Sequence, residues 1–444
     1  MPRFLFAAWP ISGHYFPLLS VAKVLQERGH DCALYTGPEG GSAAKAEGLL
    51  WFPFRSLDDQ WFRQLIYQHT FSPIRPIQII QLRKRVARLI LKSIPAQVED
   101  VKRICGDWQP DVIVTETMMW GPYLILHEHM GIPVAVFSTV PACIVPGSDV
   151  PPFGFGLPPP RDWHTRLLNQ VVSRAMRLVS RSVRRKTNRI RREFGLSDLT
   201  ISGVELAGKM PLYLVPTVRE FDYNRKDLPP SVHYVGLCQW TRPSGSNRVD
   251  TSRIRPDGRP CIHVTEGTIH VRKPLVIHAA MEGLANLPMR VIITIGPNRE
   301  LEDMGFRHIP ANVQVEKFLP HEDLMPHVDV LVTTGGGGTV HAALSAGVPM
   351  VVVPTEWDKY DNAQRIVGAG VGVRLSARRC TPKTLRGAVE RVLKDPTYRN
   401  RAKHFADLFS KTRGSEQAAE LLEALAEGRS MRLSNVSNHR ESMP

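Results

Sequence analysis

A glycine run offers the most pointed chemistry in this chain. Thr333-Thr334-Gly335-Gly336-Gly337-Gly338-Thr339-Val340 carries an apolar strand through four glycines into a helix whose Val340, Ala343 and Leu344 face inward. Glycines admit close backbone approach, and the free N–H groups and positive dipole end of a helix favour an anion, so the segment suits a phosphate. The plainer alternative is a tight strand-to-helix turn. No Gly-Lys-Ser/Thr follows, which excludes a P-loop, and no GxGxxG follows the first strand, which argues against a dinucleotide cofactor.

Three further groups fall at strand ends. Pro354-Thr355-Glu356-Trp357-Asp358-Lys359-Tyr360-Asp361-Asn362-Ala363 brings acids, an amide and a cation to the sheet edge where open α/β sheets bind ligands. Carboxylate and ammonium groups suit sugar hydroxyls, although Asp361 reads better as a helix N-cap. Thr265-Glu266-Gly267-Thr268 offers a backbone turn and hydroxyls to a phosphate. Gly13-His14-Tyr15-Phe16-Pro17 sets an imidazole after strand one. His14 can take a proton near neutral pH if a carboxylate orients its far nitrogen, and Glu116, ending a later strand, is placed to do so. The alternative for His14 is a structural histidine.

Two α/β runs must position these groups. In the first, strands are expected at Phe4–Trp9, Asp31–Thr36, Leu49–Phe52, Val112–Thr115 and Val134–Ser138. Helices are expected from about Pro17 to Gly29 and over Gly121–Met130. In the second, strands are expected at Cys261–Thr265, Val291–Ile295, Val313–Phe318, Val330–Thr333 and Met350–Val353. Helices fall near Pro274–Leu287, Thr339–Ala346, Asp361–Gly368 and Pro382–Lys394, with a long closing helix to Ala426. Alternation of this kind implies parallel sheets covered on both faces. The domain expectation is 1–240, a polar linker 241–259, a second domain 260–427 and a tail 428–444.

Composition narrows the class. With 43% hydrophobic and 22% charged residues the 444-residue chain reads as a globular enzyme. The six cysteines show no pairing rhythm and no CxxC, so a disulfide framework or zinc site is disfavoured. No apolar run reaches about 18 residues, and the N-terminal segment lacks a cleavage site, which points to a cytoplasmic protein.

The net charge is +15, and between Arg161 and Arg192 Asp162 is the one acid against eleven Arg or Lys. There Leu168, Val171, Val172, Ala175, Leu178 and Val179 form an apolar stripe among Arg174, Arg177, Arg181, Arg184 and Arg185. A solvated helix packed on its own domain is expected. Contact with a membrane surface or a lipophilic acceptor is the alternative. Before it, Pro146–Pro160 is too rich in proline and glycine for regular structure.

Together the motifs resemble the GT-B glycosyltransferases, in particular the family that moves sugars from nucleotide diphosphates to small lipophilic acceptors. The likeness rests on Gly13-His14 with Pro17, and on Thr334-Gly335-Gly336, Thr339, Leu344, Gly347-Val348-Pro349, Pro354, Asp358-Lys359, Asn362-Ala363 and Arg365. It implies two Rossmann-like doubly wound domains facing across a cleft. It also implies His14 as base supported by Glu116, and a diphosphate held by Thr339 and the Gly336, Gly337 and Gly338 backbone. Asp358 and Lys359 would meet the sugar, Phe318 would stack on the base with His321 beside it, and Thr268 would lie near the phosphates. Thr334 stands where the family has a phosphate-contacting histidine, so Arg272, Lys273 or Lys359 would supply the missing charge.

The implied reaction is inverting transfer of a hexose or deoxyhexose from a UDP- or TDP-linked donor to an acceptor hydroxyl, without metal or cofactor and without nucleic acid as a partner. Trp9, Phe16, Trp51, Phe54, Trp61 and Phe71, with the Pro146–Pro160 loop, suggest an aromatic-lined acceptor pocket, although each ring taken alone reads better as core than as contact. Rival readings are a sugar-nucleotide epimerase or hydrolase, a donor-binding partner protein, and a basic nucleic-acid binder.

Overall fold

The computed structural model describes residues 1–67, 76–240, 257–267, 274–296, 299–306 and 308–428. It has two parallel sheets. The first contains β1 (Arg3–Ala7), β2 (Asp31–Thr36), β3 (Leu50–Pro53), β4 (Val112–Glu116), β5 (Val134–Phe137), β6 (Leu212–Val215) and β7 (Val232–Tyr234), in the order β3-β2-β1-β4-β5-β6-β7. The second contains β8 (Cys261–Thr265), β9 (Arg290–Thr294), β10 (Val313–Glu316), β11 (Val330–Thr333), β12 (Met350–Val352) and β13 (Gly372–Arg374), in the order β10-β9-β8-β11-β12-β13. In each sheet the order reverses once, between β1 and β4 and between β8 and β11. Such a switch point leaves a crevice beyond the strand ends.

The strands read as continuous apolar runs because both faces are covered. Phe4, Leu5, Phe6 and Ala7 are all fully buried, and alternate members pack into different core clusters on the two sides of the first sheet. The architecture is two doubly wound α/β lobes.

Three expectations change. The first helix spans Ser12–Glu27 and starts ahead of Pro17, so His14 sits in its first turn. The closing helix is two, Pro396–Ser410 and Gly414–Ala426. Although expected within the 260–427 domain, the last one buries Ala418, Ala419, Leu421, Leu422 and Leu425 in the core of the first lobe, beside Leu18, Val21 and Leu25. Arg28 and His30 clasp its Glu423, both at 2.9 Å. The basic helix spans Trp163–Glu193, yet its apolar stripe does not pack as a unit. Val172 and Val179 are half-buried, whereas Leu168, Val171 and Leu178 are exposed. Polar groups seat the helix instead: Asn169 donates to the Pro158 carbonyl, Asn188 to the Leu199 carbonyl and Arg191 to the Leu124 carbonyl.

The linker expected at 241–259 lies outside the described residues up to 256, as does the tail beyond Gly428.

Candidate active site

Both switch points carry the residues singled out from sequence. At the first, the chain leaves β1, passes Ile11 in extended conformation and enters the Ser12–Glu27 helix. Gly13 is exposed with open space where a side chain would be, and Pro17 has no N–H to give the Gly13 carbonyl four residues back. His14 is half-buried. Its Nδ1 lies 3.2 Å from Oε1 of Glu116, the last residue of β4 and fully buried. Neither atom has a directed hydrogen bond, so the two are close but off-axis. The other Glu116 oxygen is fixed by the Met118 N–H at 2.6 Å.

At the second switch point, Gly335 has φ +93°, and a Cβ there would stand 2.9 Å from Val352 Cγ2. Only glycine takes this bend freely. Asn362 holds the Gly335 carbonyl at 2.8 Å. Gly336 then caps the helix Gly337–Ser345 without any side chain, and the space beside Gly336 and Gly338 is open. Gly337 backs onto Pro141 of the first lobe, 2.9 Å from where its Cβ would be. Thr339 is buried in the first turn. The uncapped N–H groups and helix dipole thus face the seam between the lobes, an arrangement fit for an anion.

Thr334 is buried, and its hydroxyl donates to the Glu266 carbonyl at 3.1 Å, tying β8 to β11. Lys359 is also buried. Its ammonium sits 3.1 Å from Glu356, whose carboxyl is raised by burial and held back by that same lysine. The ammonium expected to meet the sugar is therefore already paired within its own lobe. Asp358 occupies the N-cap position of the helix Lys359–Gly368, yet its carboxylate accepts from Asn362 at 2.8 Å rather than capping. Burial raises the Asp358 carboxyl, while Asn362, Lys359 and the imidazole of His14 oppose that rise. His14 and Asp358, from different lobes, lie within electrostatic reach.

Phe318 keeps about half its surface exposed at the end of the β10 segment (52%). His321, at the start of a short helix, is pulled down to about 4 by burial, and its ring stands edge-on to His263 at 6.3 Å. Thr268, Arg272, Lys273 and Phe71 fall outside the described residues. Of the expected acceptor aromatics, Trp9 is fully buried against Phe62, Phe16 stacks on Trp240, and Trp51 donates to the Thr36 carbonyl. Phe54 and Trp61 are the half-buried members around Trp9.

Sequence reasoning missed how the lobes are joined. Asp361 is no N-cap. Its carboxylate takes the N–H groups of Gly154 and, at 2.9 Å, Gly156, pinning the proline-rich loop to the second lobe. Both glycines have positive φ, 85° and 57°, and the Gly-Phe-Gly spacing inside a proline-rich segment was the available signal. Arg365 grips Asp222 at 2.8 Å, and Asp222 also accepts from the Cys143 N–H and the Tyr234 hydroxyl, both at 2.8 Å. Trp357 adopts φ +53° and packs against the buried pair Val86 and Ile90 of the first lobe, which Met118 and Trp120 also cover. No local sequence signal announces either.

Comparison with known proteins settles the class. Over residues 278–425 the chain matches the family model described as erythromycin biosynthesis protein CIII-like, C-terminal domain. It is 33% identical to the 4'-demethylrebeccamycin synthase of Lentzea aerocolonigenes, across 95% of this chain and 99% of that protein. The chain belongs to the family 1 glycosyltransferases of natural-product biosynthesis. The demethyllactenocin mycarosyltransferase of Streptomyces fradiae is 25% identical, over 96% of this chain and 87% of that one. Among solved structures, the glycotransferase of kitacinnamycin superposes with TM-score 0.74 at 22% identity, covering 96% of this chain and all of that one. The calicheamicin glycosyltransferase CalG4 gives 0.73 at 20%, covering 96% and 98%. The fold of this glycosyltransferase is GT-B, and its donor is a nucleotide sugar.

Proposed function

We propose that this enzyme performs inverting transfer of a hexose or deoxyhexose from a UDP- or TDP-linked donor to a hydroxyl of a lipophilic small molecule, with His14 as the general base. The reading rests on one observation above all: His14 stands 3.2 Å from a buried carboxylate at one switch point, across from an uncapped glycine-rich helix end at the other. Glu116 faces Nδ1, which leaves Nε2 to take the acceptor proton as the oxygen attacks the anomeric carbon. The diphosphate leaves toward the Gly336–Thr339 N–H groups, whose fixed dipoles oppose the charge that develops. Asp358, close enough to sense His14, receives the sugar hydroxyls between the two. Phe318, half exposed, stacks on the nucleotide base, with His321 beside it.

Lys359 acts in this reading through Glu356, as a buried pair that fixes the loop. The Glu356 carboxylate serves as the partner of Lys359 rather than as a sugar ligand. Related structures support the donor class: a Streptomyces enzyme of this fold was solved with thymidine diphosphate, and the glycosyltransferase VinC was solved with dTDP. The spinosyn rhamnosyltransferase was solved with spinosyn aglycone, which favours a small-molecule aglycone as acceptor. Replacing His14 by Ala should abolish transfer and leave nucleoside diphosphate binding intact by calorimetry. Turnover retained in His14→Ala would remove the histidine from the chemistry. Release of free sugar or altered nucleotide sugar by the parent enzyme without acceptor, at the transfer rate, would favour a hydrolase or epimerase.

A further inference from the structure

The helix Trp163–Glu193 carries apolar side chains on its outside. Trp163 is 67% exposed, Leu167 51%, Val171 53% and Leu178 63%. Their spacings of four, four and seven residues keep them along one side of a helix. Arg174, Arg181 and Arg185 project on the same side, with Arg177 and Arg189 at its borders. Among the described residues no carboxylate pairs with any of these five arginines; the helix's acid pairs are made by Arg191 with Glu128 and by Arg192 with Asp198. Beside the helix, Lys84 and Arg88 of the neighbouring helix Pro76–Trp108 and Lys186 surround a crevice of about 170 Å³ with Leu91 and Val183 in its lining.

We propose that this face docks the enzyme on an anionic phospholipid surface, with the helix lying in the plane of the interface. Charge complementarity selects that partner: the 161–192 segment is +10, eleven cations against Asp162. The apolar side chains separate it from a nucleic acid, because a phosphate backbone rewards the arginines and gives nothing to Leu167, Val171 or Leu178. A tryptophan at one end is the residue that best tolerates the headgroup level, apolar in its body and polar at its N–H. Trp163 to Leu178 covers about 22 Å of helix, enough for four turns of contact. No described helix is long and apolar enough to cross a membrane, so contact is peripheral. The cationic crevice suits a lipid headgroup phosphate at the rim of the docked face.

Position gives the contact a use. Asn169 holds the Pro158 carbonyl, and two residues further back Gly156 is held by Asp361 beside Asp358. A surface bound along this helix therefore lies one short loop from the seam where acceptor and donor would meet, and a membrane-dissolved acceptor could enter without crossing bulk water.

The test uses the whole protein and does not depend on turnover. Sedimentation with vesicles of phosphatidylcholine and phosphatidylglycerol should show binding at physiological salt, and phosphatidylcholine vesicles should bind far less. Each arginine held at an anionic surface multiplies binding roughly fivefold, so Arg174→Gln/Arg181→Gln/Arg185→Gln should lose about a hundredfold. Leu167→Gln/Leu178→Gln should also release the protein, without altering its charge. Thermal unfolding of each variant checks the fold, and the exposed positions should leave it unmoved. Absence of binding to the anionic vesicles would overturn the proposal. So would full binding by Leu167→Gln/Leu178→Gln, stronger retention on duplex DNA than on vesicles, or a dimer in gel filtration that these substitutions dissolve.

Discussion

Glu116→Gln is the sharpest probe of the proposed chemistry. The substitution keeps an oxygen for the Met118 N–H, now held at 2.6 Å, and removes one negative charge from beside the imidazole. At 3.2 Å and an effective dielectric near 20, a carboxylate and a full imidazolium charge attract by about 5 kcal/mol. A transition state with the proton about half transferred feels roughly half of that, about 2.5 kcal/mol, which corresponds to about a hundredfold in rate. Turnover measured with saturating donor and acceptor should fall by that order, while calorimetric binding of the nucleoside diphosphate should hold, because the second lobe is untouched. Glu116→Ala should be worse, since it also leaves the Met118 N–H without its acceptor. Turnover of the Gln variant within about threefold of the parent would refute an electrostatic role for Glu116, as would an equal loss in nucleotide affinity.

Other outcomes follow from the same geometry. Gly335→Ala meets Val352 at 2.9 Å in a left-handed backbone and should unfold at lower temperature, whereas Gly338→Ala has open space and should fold normally. If the diphosphate closes on that backbone, Gly338→Ala should still weaken nucleotide binding in calorimetry. Asp361→Asn weakens two charge-assisted bonds to the loop and should cost about 1.5–3 kcal/mol, read as a lower melting temperature and faster proteolysis within 146–160. His263 and His341 are buried and held down to about 3 and about 4 by desolvation, so both are neutral when folded and protonate more readily when unfolded. The unfolded chain therefore binds more protons below pH 6.5, and stability should drop toward pH 4 by up to about 1.4 kcal/mol per pH unit for each histidine. His341→Leu should flatten that slope in urea titrations; an unchanged slope would mean the ring is already charged in the fold.

The strands with the strongest apolar runs were legible because burial on both faces writes itself as unbroken hydrophobicity. Asp31–Thr36, Cys261–Thr265 and Val330–Thr333 stand where that pattern places them. The strands β6, β7 and β13 were not, since each is only three or four residues and two of them lie at sheet edges. The helix Pro76–Trp108 escaped as well, broken on paper by Pro95. At the site, His14, Glu116 and the glycine run were readable because strand ends and glycines announce a crevice. Partnerships across the lobes were not. Asp361 with Gly154 joins positions 207 residues apart, and Arg365 with Asp222 joins positions 143 apart. Nothing local in a carboxylate says which distant N–H it will take.

One short segment explains why the lobes act together. From Glu356 to Asp361 successive side chains serve different masters. Glu356 and Lys359 pair inside their own lobe and anchor the loop. Between them Trp357, in a left-handed backbone that a bulky residue adopts only under constraint, reaches across to Val86 and Ile90, the buried pair that Met118 and Trp120 also cover. Met118 is the residue whose N–H fixes Glu116, so the tryptophan and the support of the base pack on one cluster. Asp358 follows, close enough for its charge to be felt at His14, and Asp361 holds the proline-rich loop that leads to the basic helix. A shift of this segment on donor binding would disturb the cluster beneath the support of the base and the acceptor-side loop in the same step. Truncating Trp357 to Ala should therefore lower turnover more than it raises the Kd for nucleoside diphosphate. A purely structural tryptophan would instead lower thermal stability with turnover per folded molecule unchanged.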